Sequence, residues 1–476
     1  MSKRKMLIGA GIAGTALAAG AGYLASRSGG ALVRPGVGRA RSVQSDPALP
    51  PQVDTVVIGG GIIGMMAALT LAERGQSVAL CEKGVIAGEA SGRSLGYVDG
   101  LFLDPIKMPI IARAKHLWAG MDERVGAPTG YRRCGLATLL PNAADVEGAR
   151  GWLDAVQGAP GVDAQVLTGA RAAAFTPDGG SSVAGVLHQP GDGVAEPQLA
   201  VPAMADALRK RGGIILQSCA ARGFERTGGR ITAVVTERGT VRCGAVVLAG
   251  GVWSSLMARS LGLDLPQFMA FGSVLRLGPV PGPDTALISA EHGIVMRRNH
   301  LGGYDLCNGK GTVPITLDVL ANLLRLRPAM RAMWNEVSTA FSLDTFQTFA
   351  RMPRAWALDR PSPFEAHRIL MPEIRQSDLD HVLRHAPRAF PFLAGAPIVE
   401  SWAGSLMTTP DNMPVISPVD AVPGLFVGAG FYYGLTMGPA AGEALADLVT
   451  GTAPQFDLAP YRLERFSDGS PIQFRM

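Results

Sequence analysis

The sequence has little of what announces metal chemistry or a disulfide scaffold. Its five cysteines, Cys81, Cys134, Cys219, Cys243 and Cys307, are odd in number and widely spaced, with no C-x-x-C pair. Such spacing excludes a disulfide framework and a thiolate metal site. Three of them sit in apolar, strand-like runs and read as buried structural thiols. The seven histidines include no H-E-x-x-H, so no metal is expected. Acids are missing altogether before Asp46, and this changes the meaning of the net charge of +5. Seven of the 44 Lys/Arg lie in the first 41 residues, so 37 bases face 39 acids over the remainder, a net of −2. The basicity belongs to the N-terminus, and a nucleic-acid-binding role has no support in the charge pattern. No repeat of solenoid length is present.

What is there is a G-x-G-x-x-G spacing, twice: LIGAGIAG at 7–14 and VIGGGIIG at 57–64. The spacing has physical meaning only with a strand before it, a helix after it and an acid about 20 residues on. The first copy has none of these. Lys3-Arg4-Lys5 precedes it, and Met6 to Ala25 carry no charge, about the length that crosses a bilayer. Residues 1–26 are therefore expected to be a transmembrane anchor or an export signal. The Gly/Ala-rich composition suits twin-arginine export, although Ser2-Lys3-Arg4-Lys5 holds one arginine where that signal prefers two. Residues 27–52, rich in Gly, Pro, Ser and Arg, read as a linker.

The second copy meets every condition. Asp54 to Ile58 is a β-branched run, Gly59, Gly61 and Gly64 form the turn, and Met65 to Arg74 read as a helix closed by Gly75. A second strand, Ser77 to Cys81, ends at Glu82, 23 positions after Gly59. The helix start offers free N–H groups and a positive dipole end to phosphates. Further α/β pieces follow: a helical stripe from Pro197 to Arg211, strands at 214–216 and 232–236, and the buried run Gly244 to Ser254. A last strand–turn–helix runs from Gly424 to Leu448. At 476 residues the chain exceeds one core. The fold expected is α/β: a discontinuous Rossmann-like nucleotide domain from 53–135, 196–266 and 396–476. An α+β substrate-binding domain would be built from 136–195 and 267–395. Within it, amphipathic stretches at 316–334 either pack on the core or, as part of a 311–348 insertion, face a membrane.

The motifs VVIGGGIIG, LCEKG, Ala90-Ser91-Gly92-Arg93-Ser94, LAGGVWS and GLFVGAGFYYGLTMGP together resemble the D-amino acid oxidase/glycine oxidase superfamily of FAD-dependent oxidoreductases. A closer resemblance is to the bacterial membrane-bound L-amino acid deaminases. It runs through LAERGQSV, EKGVIAGEASGR, CAARGFE, VTERG, VVLAGGVWS, Ser362-Pro363-Phe364-Glu365 and the run from Trp402 to Ser417, over nearly the whole chain.

That resemblance implies a role for each matching residue. Gly59, Gly61, Ile63 and Gly64 would take the pyrophosphate, Glu82 the adenosine ribose, and Lys83 and Ala221 the adenine. Ser91, Gly92, Arg93 and Ser94 would run along the flavin edge, and Gly250 and Trp253 would close the phosphate side. Gly430, Gly434, Leu435 and Thr436 would approach the isoalloxazine. No histidine occupies the loop after Glu82 and no cysteine lies beyond Cys307, so dissociable, non-covalent FAD is expected. Arg297, ending the run Gly293-Ile294-Val295-Met296-Arg297, would clamp the substrate carboxylate, with Arg298 as its alternate. The chain departs from the deaminases at Leu95-Gly96-Tyr97 and at Gly430-Phe431-Tyr432-Tyr433-Gly434, so Tyr97 and Tyr432 would shape a different pocket. The activity implied is FAD-dependent oxidative deamination of an amino acid to the 2-oxo acid and ammonia. Electrons would pass to quinone in the bacterial cytoplasmic membrane, with the body on the periplasmic side if the N-terminus acts as a twin-arginine-like signal. The alternatives are a D-amino acid or secondary-amine dehydrogenase or oxidase on the same fold, and a flavin-binding subunit without turnover.

Overall fold

The computed structural model describes residues 40–333 and 337–476. The expected anchor, 1–26, lies outside the described residues, as does the linker up to residue 39. Among the described residues no helix is long and apolar enough to cross a membrane.

The strand Thr55–Ile58 is buried at all four positions. Its β-branched side chains suit a sheet covered on both faces, where strands read as unbroken apolar runs. It lies between Ala245–Leu248 and Val78–Cys81, parallel to both, with Val57 opposite Val247 and Leu80. Ile214–Leu216 extends the sheet on one side. Leu425–Ala429 and the antiparallel strand Val415–Pro418 extend it on the other, giving six strands. The helix Ile62–Glu73 is almost wholly buried because Gly434–Thr450 packs along it. The two helices touch closely at Gly442, where a Cβ would lie 2.5 Å from Met66 Cβ. This sheet collects residues from all three stretches expected to form the nucleotide domain.

A second, ten-stranded sheet gathers the intervening material. Its path runs Val337–Ala340, Gly311–Pro314, Phe268–Leu277, Tyr304–Asn308, Ile294–Arg298, Ala286–Ser289, Leu136–Leu140, Gly185–Gln189 and Gln165–Leu167. The tenth strand, Ile398–Thr408, pairs along its length with Phe268–Leu277. The boundary expected at residue 396 therefore does not separate the two sheets. The pairing is non-local, and nothing in the local pattern of IVESWAGSLMT announces its partner. The amphipathic stretches also differ from a core-packed reading. The helices Leu317–Ala321, Leu323–Ala332 and Leu343–Ala350 have no buried side chain, while Leu324 is 89% exposed and Leu343 59%.

Candidate active site

The carboxyl ends of the parallel strands open onto a cavity of about 540 Å³. Ile58, Cys81, Leu248 and Ala429, each the last residue of its strand, line it. Ligands of open α/β sheets sit outside this edge. The turn that follows Thr55–Ile58 admits only glycine at its first position. Gly59 has φ +113°, and a Cβ there would lie 2.3 Å from the Ala249 carbonyl oxygen. At Gly64 a Cβ would lie 2.2 Å from the Gly59 oxygen, so the helix could not start so close to the strand.

Glu82 accepts from the backbone N–H of Gly60 and of Gly84, one on each oxygen, both at 2.7 Å. Each oxygen keeps a lone pair for a ribose hydroxyl. Burial pushes the Glu82 carboxyl up from its ordinary pKa, opposed by Lys83 and the two backbone bonds. Lys83 Nζ donates to Glu89 at 2.6 Å and to the carbonyls of His367 and Arg368, and lies 4.4 Å from the centre of the Trp253 ring. Trp253 in turn donates to Glu89 at 3.0 Å and stacks on His367. Glu89, which the sequence reading passed over, is thus the acid that fixes this end of the cavity.

Gly59, Gly61, Ile63, Glu82 and Lys83 all line the cavity, as do Ser91, Arg93, Ser94, Ala221, Gly250 and Trp253. Gly430, Gly434, Leu435 and Thr436 line its other side. Gly64 and Gly92 stand behind the wall; at Gly92 a Cβ would lie 2.1 Å from the Ala87 oxygen. The lining fits an adenine dinucleotide. The glycine cradle would be filled by any Cβ, and Ser94 Oγ is buried there with no partner among the described residues. The amino end of the helix Gly434–Thr450 points its first residues into the same space. Thr436 Oγ1 lies 3.2 Å from the Tyr97 oxygen and 3.3 Å from Asp99 Oδ1. Burial, with Asp192 nearby, pushes the Asp99 carboxyl up to about 7.

Tyr97 and Tyr432 both line the cavity. The Tyr97 hydroxyl donates to the Met296 oxygen at 2.8 Å, so it is satisfied by the second sheet. Tyr432 packs edge-on against Tyr433, ring centres 5.0 Å apart.

Arg297 is placed differently from the expectation of a substrate clamp. It does not line the cavity and is 1% exposed. Its Nε donates to the Leu95 carbonyl. One terminal nitrogen bonds Glu196 and the Arg298 carbonyl; the other bonds Glu196 at 3.0 Å and Asp305 at 2.9 Å. All five guanidinium N–H groups are therefore matched. Asp305 also takes a bidentate pair from Arg276, at 2.7 and 2.8 Å. Burial would raise the Asp305 pKa, but the two arginines hold it below the ordinary carboxylate range. The physical reason is the Leu95-Gly96 backbone, which covers the guanidinium: a Cβ on Gly96 would lie 2.7 Å from Arg297 Nε. The alternate, Arg298, bonds the Gly282 oxygen and is likewise absent from the lining.

What faces the cavity from the second sheet is an apolar row that the sequence reading did not pick out. Val274, Cys307, Val295, Ile288 and Thr138 are cross-strand partners in succession, so their side chains share one face, and all five line the cavity. Two residues farther along their strands stand Arg276, Asp305 and Arg297. Burial pushes the Cys307 thiol up to about 12.

The profile of the FAD dependent oxidoreductase family (DAO) matches residues 54–448. Among solved structures, the chain is similar to the L-amino acid deaminase from Proteus myxofaciens in complex with anthranilate. The two are 34% identical with a TM-score of 0.87, covering 90% of this chain and 97% of that one. The L-amino acid deaminase from Proteus vulgaris is 30% identical with a TM-score of 0.85, covering 90% and 100%. The glycine oxidase of Pseudomonas putida is 27% identical over 428 residues, 86% of this chain and 98% of that protein. Sarcosine oxidase subunit beta of Arthrobacter sp is 25% identical over 437 residues, 90% and 94% respectively. With the glycine turn, the acid at Glu82 and the matched span in agreement, the chain belongs to the FAD-dependent oxidoreductase family and binds FAD.

Proposed function

We propose that the protein oxidises an α-amino acid to its imino acid, which water converts to the 2-oxo acid and ammonia. One observation carries the reading. A single cavity runs from the turn at Gly59 to the apolar row on the second sheet, so a dinucleotide and a small organic substrate share one space. The two Proteus deaminases, at 30% identity or more over nine-tenths of the chain, favour deamination. FAD, when bound, supplies the two-electron acceptor.

The chain's own residues do the rest. Gly59, Gly61 and Ile63 hold the pyrophosphate end and Glu82 the ribose, without a covalent link. The amino end of Gly434–Thr450 favours negative charge beside it. Asp99, with its pKa about 7, is able to hold a proton beside Thr436 at neutral pH. The apolar row excludes water from the space in which the substrate's Cα would be oriented.

The exposed leucines of 311–348, which cover no core, would rest on a lipid surface, with quinone as acceptor. On this reading the protein works at a bacterial cytoplasmic membrane. A second reading, oxidation of D-amino acids or of secondary amines, is favoured by the similarity to glycine oxidase and to the sarcosine oxidase subunit.

The test is anaerobic flavin bleaching across L-, D- and N-methyl amino acids. Reduction by L-amino acids with release of ammonia supports deamination, and reduction by D- or N-methyl substrates alone supports the second reading. A flavin that no amino acid reduces ends both.

A further inference from the structure

The row formed by Val274, Cys307, Val295, Ile288 and Thr138 has one hydroxyl on it, at its Thr138 end. Thr138 is 6% exposed, lines the cavity, and its Oγ1 is buried with no hydrogen-bond partner among the described residues. Its cross-strand neighbour on one side is Ile288, also in the cavity wall, and on the other Leu187, fully buried. Neither has a side-chain atom able to bond a hydroxyl. The nearby Tyr97 hydroxyl is committed to the Met296 carbonyl. A buried hydroxyl left without a partner costs stability, so its presence at the end of an otherwise apolar row calls for a partner that arrives with a ligand.

We propose that Thr138 sets substrate preference by hydrogen-bonding the neutral polar tip of the amino acid's side chain, an amide or a hydroxyl, whose apolar stem lies along the row. This inference rests on the amino acid-oxidising reading above and names its substrate class. A charged tip does not suit the row. Its other four members carry no charge, and the ionic residues two positions along are already matched among themselves, Arg297 with Glu196 and Asp305, and Arg276 with Asp305. An unpaired charge brought into such a wall would lose its hydration without compensation. A wholly apolar tip would leave the hydroxyl unpaired. Selectivity built on a hydrogen bond is steeper than selectivity built on one extra methylene, because the rejected analogue leaves a polar group unsatisfied.

The experiment uses the full-length holoenzyme and near-isosteric pairs: asparagine with leucine, and tyrosine with phenylalanine, in both enantiomers. The native enzyme is expected to favour the polar member of at least one pair. Thr138→Val, which keeps the shape and removes the hydroxyl, is expected to lower kcat/KM for that polar member about ten- to hundredfold and to leave its apolar partner unchanged or improved. Thr138→Ser is expected to keep the native order. Flavin content per polypeptide, read from the visible spectrum, should equal the native value in both variants. Equal changes for both members of each pair, or no change, would overturn the proposal. So would loss of flavin from Thr138→Val, because the hydroxyl would then serve the cofactor. A native enzyme reduced by no amino acid at all would instead sink the functional reading beneath it. If Thr138→Val is insoluble, Thr138→Ala decides, since it too removes the hydroxyl and must lower the preference for the polar member.

Discussion

Replacing Arg297 with methionine separates a structural guanidinium from one that holds substrate. The side chain is 1% exposed, and its carboxylate partners Glu196 and Asp305 are both fully buried. Removal affects them unequally. Asp305 keeps both bonds from Arg276 and one from Asn299 at 3.0 Å, whereas Glu196 keeps only the His300 N–H at 2.9 Å and the His300 ring at 3.2 Å. An uncompensated buried charge costs about 3–5 kcal/mol. Glu196 would carry most of that cost, so about 3 kcal/mol is the appropriate figure, a fall in Tm of about 3 °C for a chain of this length. Adding Glu196→Gln should recover a large part of the loss, because the orphaned charge disappears with it. The assay is thermal unfolding of the two single variants and the double, followed by anaerobic reduction kinetics. A Tm within about a degree of native for Arg297→Met, together with a KM raised a hundredfold, would refute the structural assignment and return Arg297 to the substrate carboxylate.

Gly59→Ala forces a Cβ to 2.3 Å from the Ala249 oxygen at a φ of +113°. Purified protein should retain its fold by far-ultraviolet dichroism and lose most of its visible absorbance; full flavin occupancy would contradict the turn's assigned role. Asp99, raised on folding from 3.8 to about 7, stabilises the fold when protonated, and that contribution fades as pH climbs from about 4 through about 7. Asp99→Asn should therefore flatten the decline in stability over that interval, by up to about 4 kcal/mol between its ends, in denaturant titrations at stepped pH. An unchanged slope would show that the carboxyl ionises freely. Paired changes Leu324→Asp and Leu343→Asp, at side chains 89% and 59% exposed, should slow quinone reduction in membranes while leaving anaerobic flavin reduction by amino acid intact. Equal quinone rates would remove the lipid-facing role.

The legible parts of this chain are those written in consecutive residues. Thr55 to Glu82 contains a strand, a turn, a helix, a second strand and an acid, each formed by its own neighbours, and the structure holds them in that order. The same holds for Ala245–Leu248 and for the final Leu425–Ala429 strand with its helix, whose apolar runs announce burial wherever they occur. The lining of the cavity by Gly59, Glu82, Trp253 and Thr436 follows from those local units. Arg297 also rests on a local pattern, but that pattern is silent on the buried partners the structure gives it. Its fate depends on Glu196, 101 positions away, and on the Leu95-Gly96 backbone 202 positions from its Nε. Acids embedded in apolar runs, as at GVAEPQ and GYDLCN, were the available signal that a buried cation needed partners.

Taken alone, then, the order of amino acids determined a doubly wound nucleotide fold, a flavin cofactor and a family. These depend on backbone turns and short-range periodicity, which neighbouring residues impose on one another. Only the tertiary structure decided which arginine is spent on internal neutralisation and which strand Ile398–Thr408 joins. It also decided which five side chains from separate strands come to stand in one row on the cavity wall. Those outcomes depend on strand register and on what lies across the sheet, and neighbours in sequence carry no record of either.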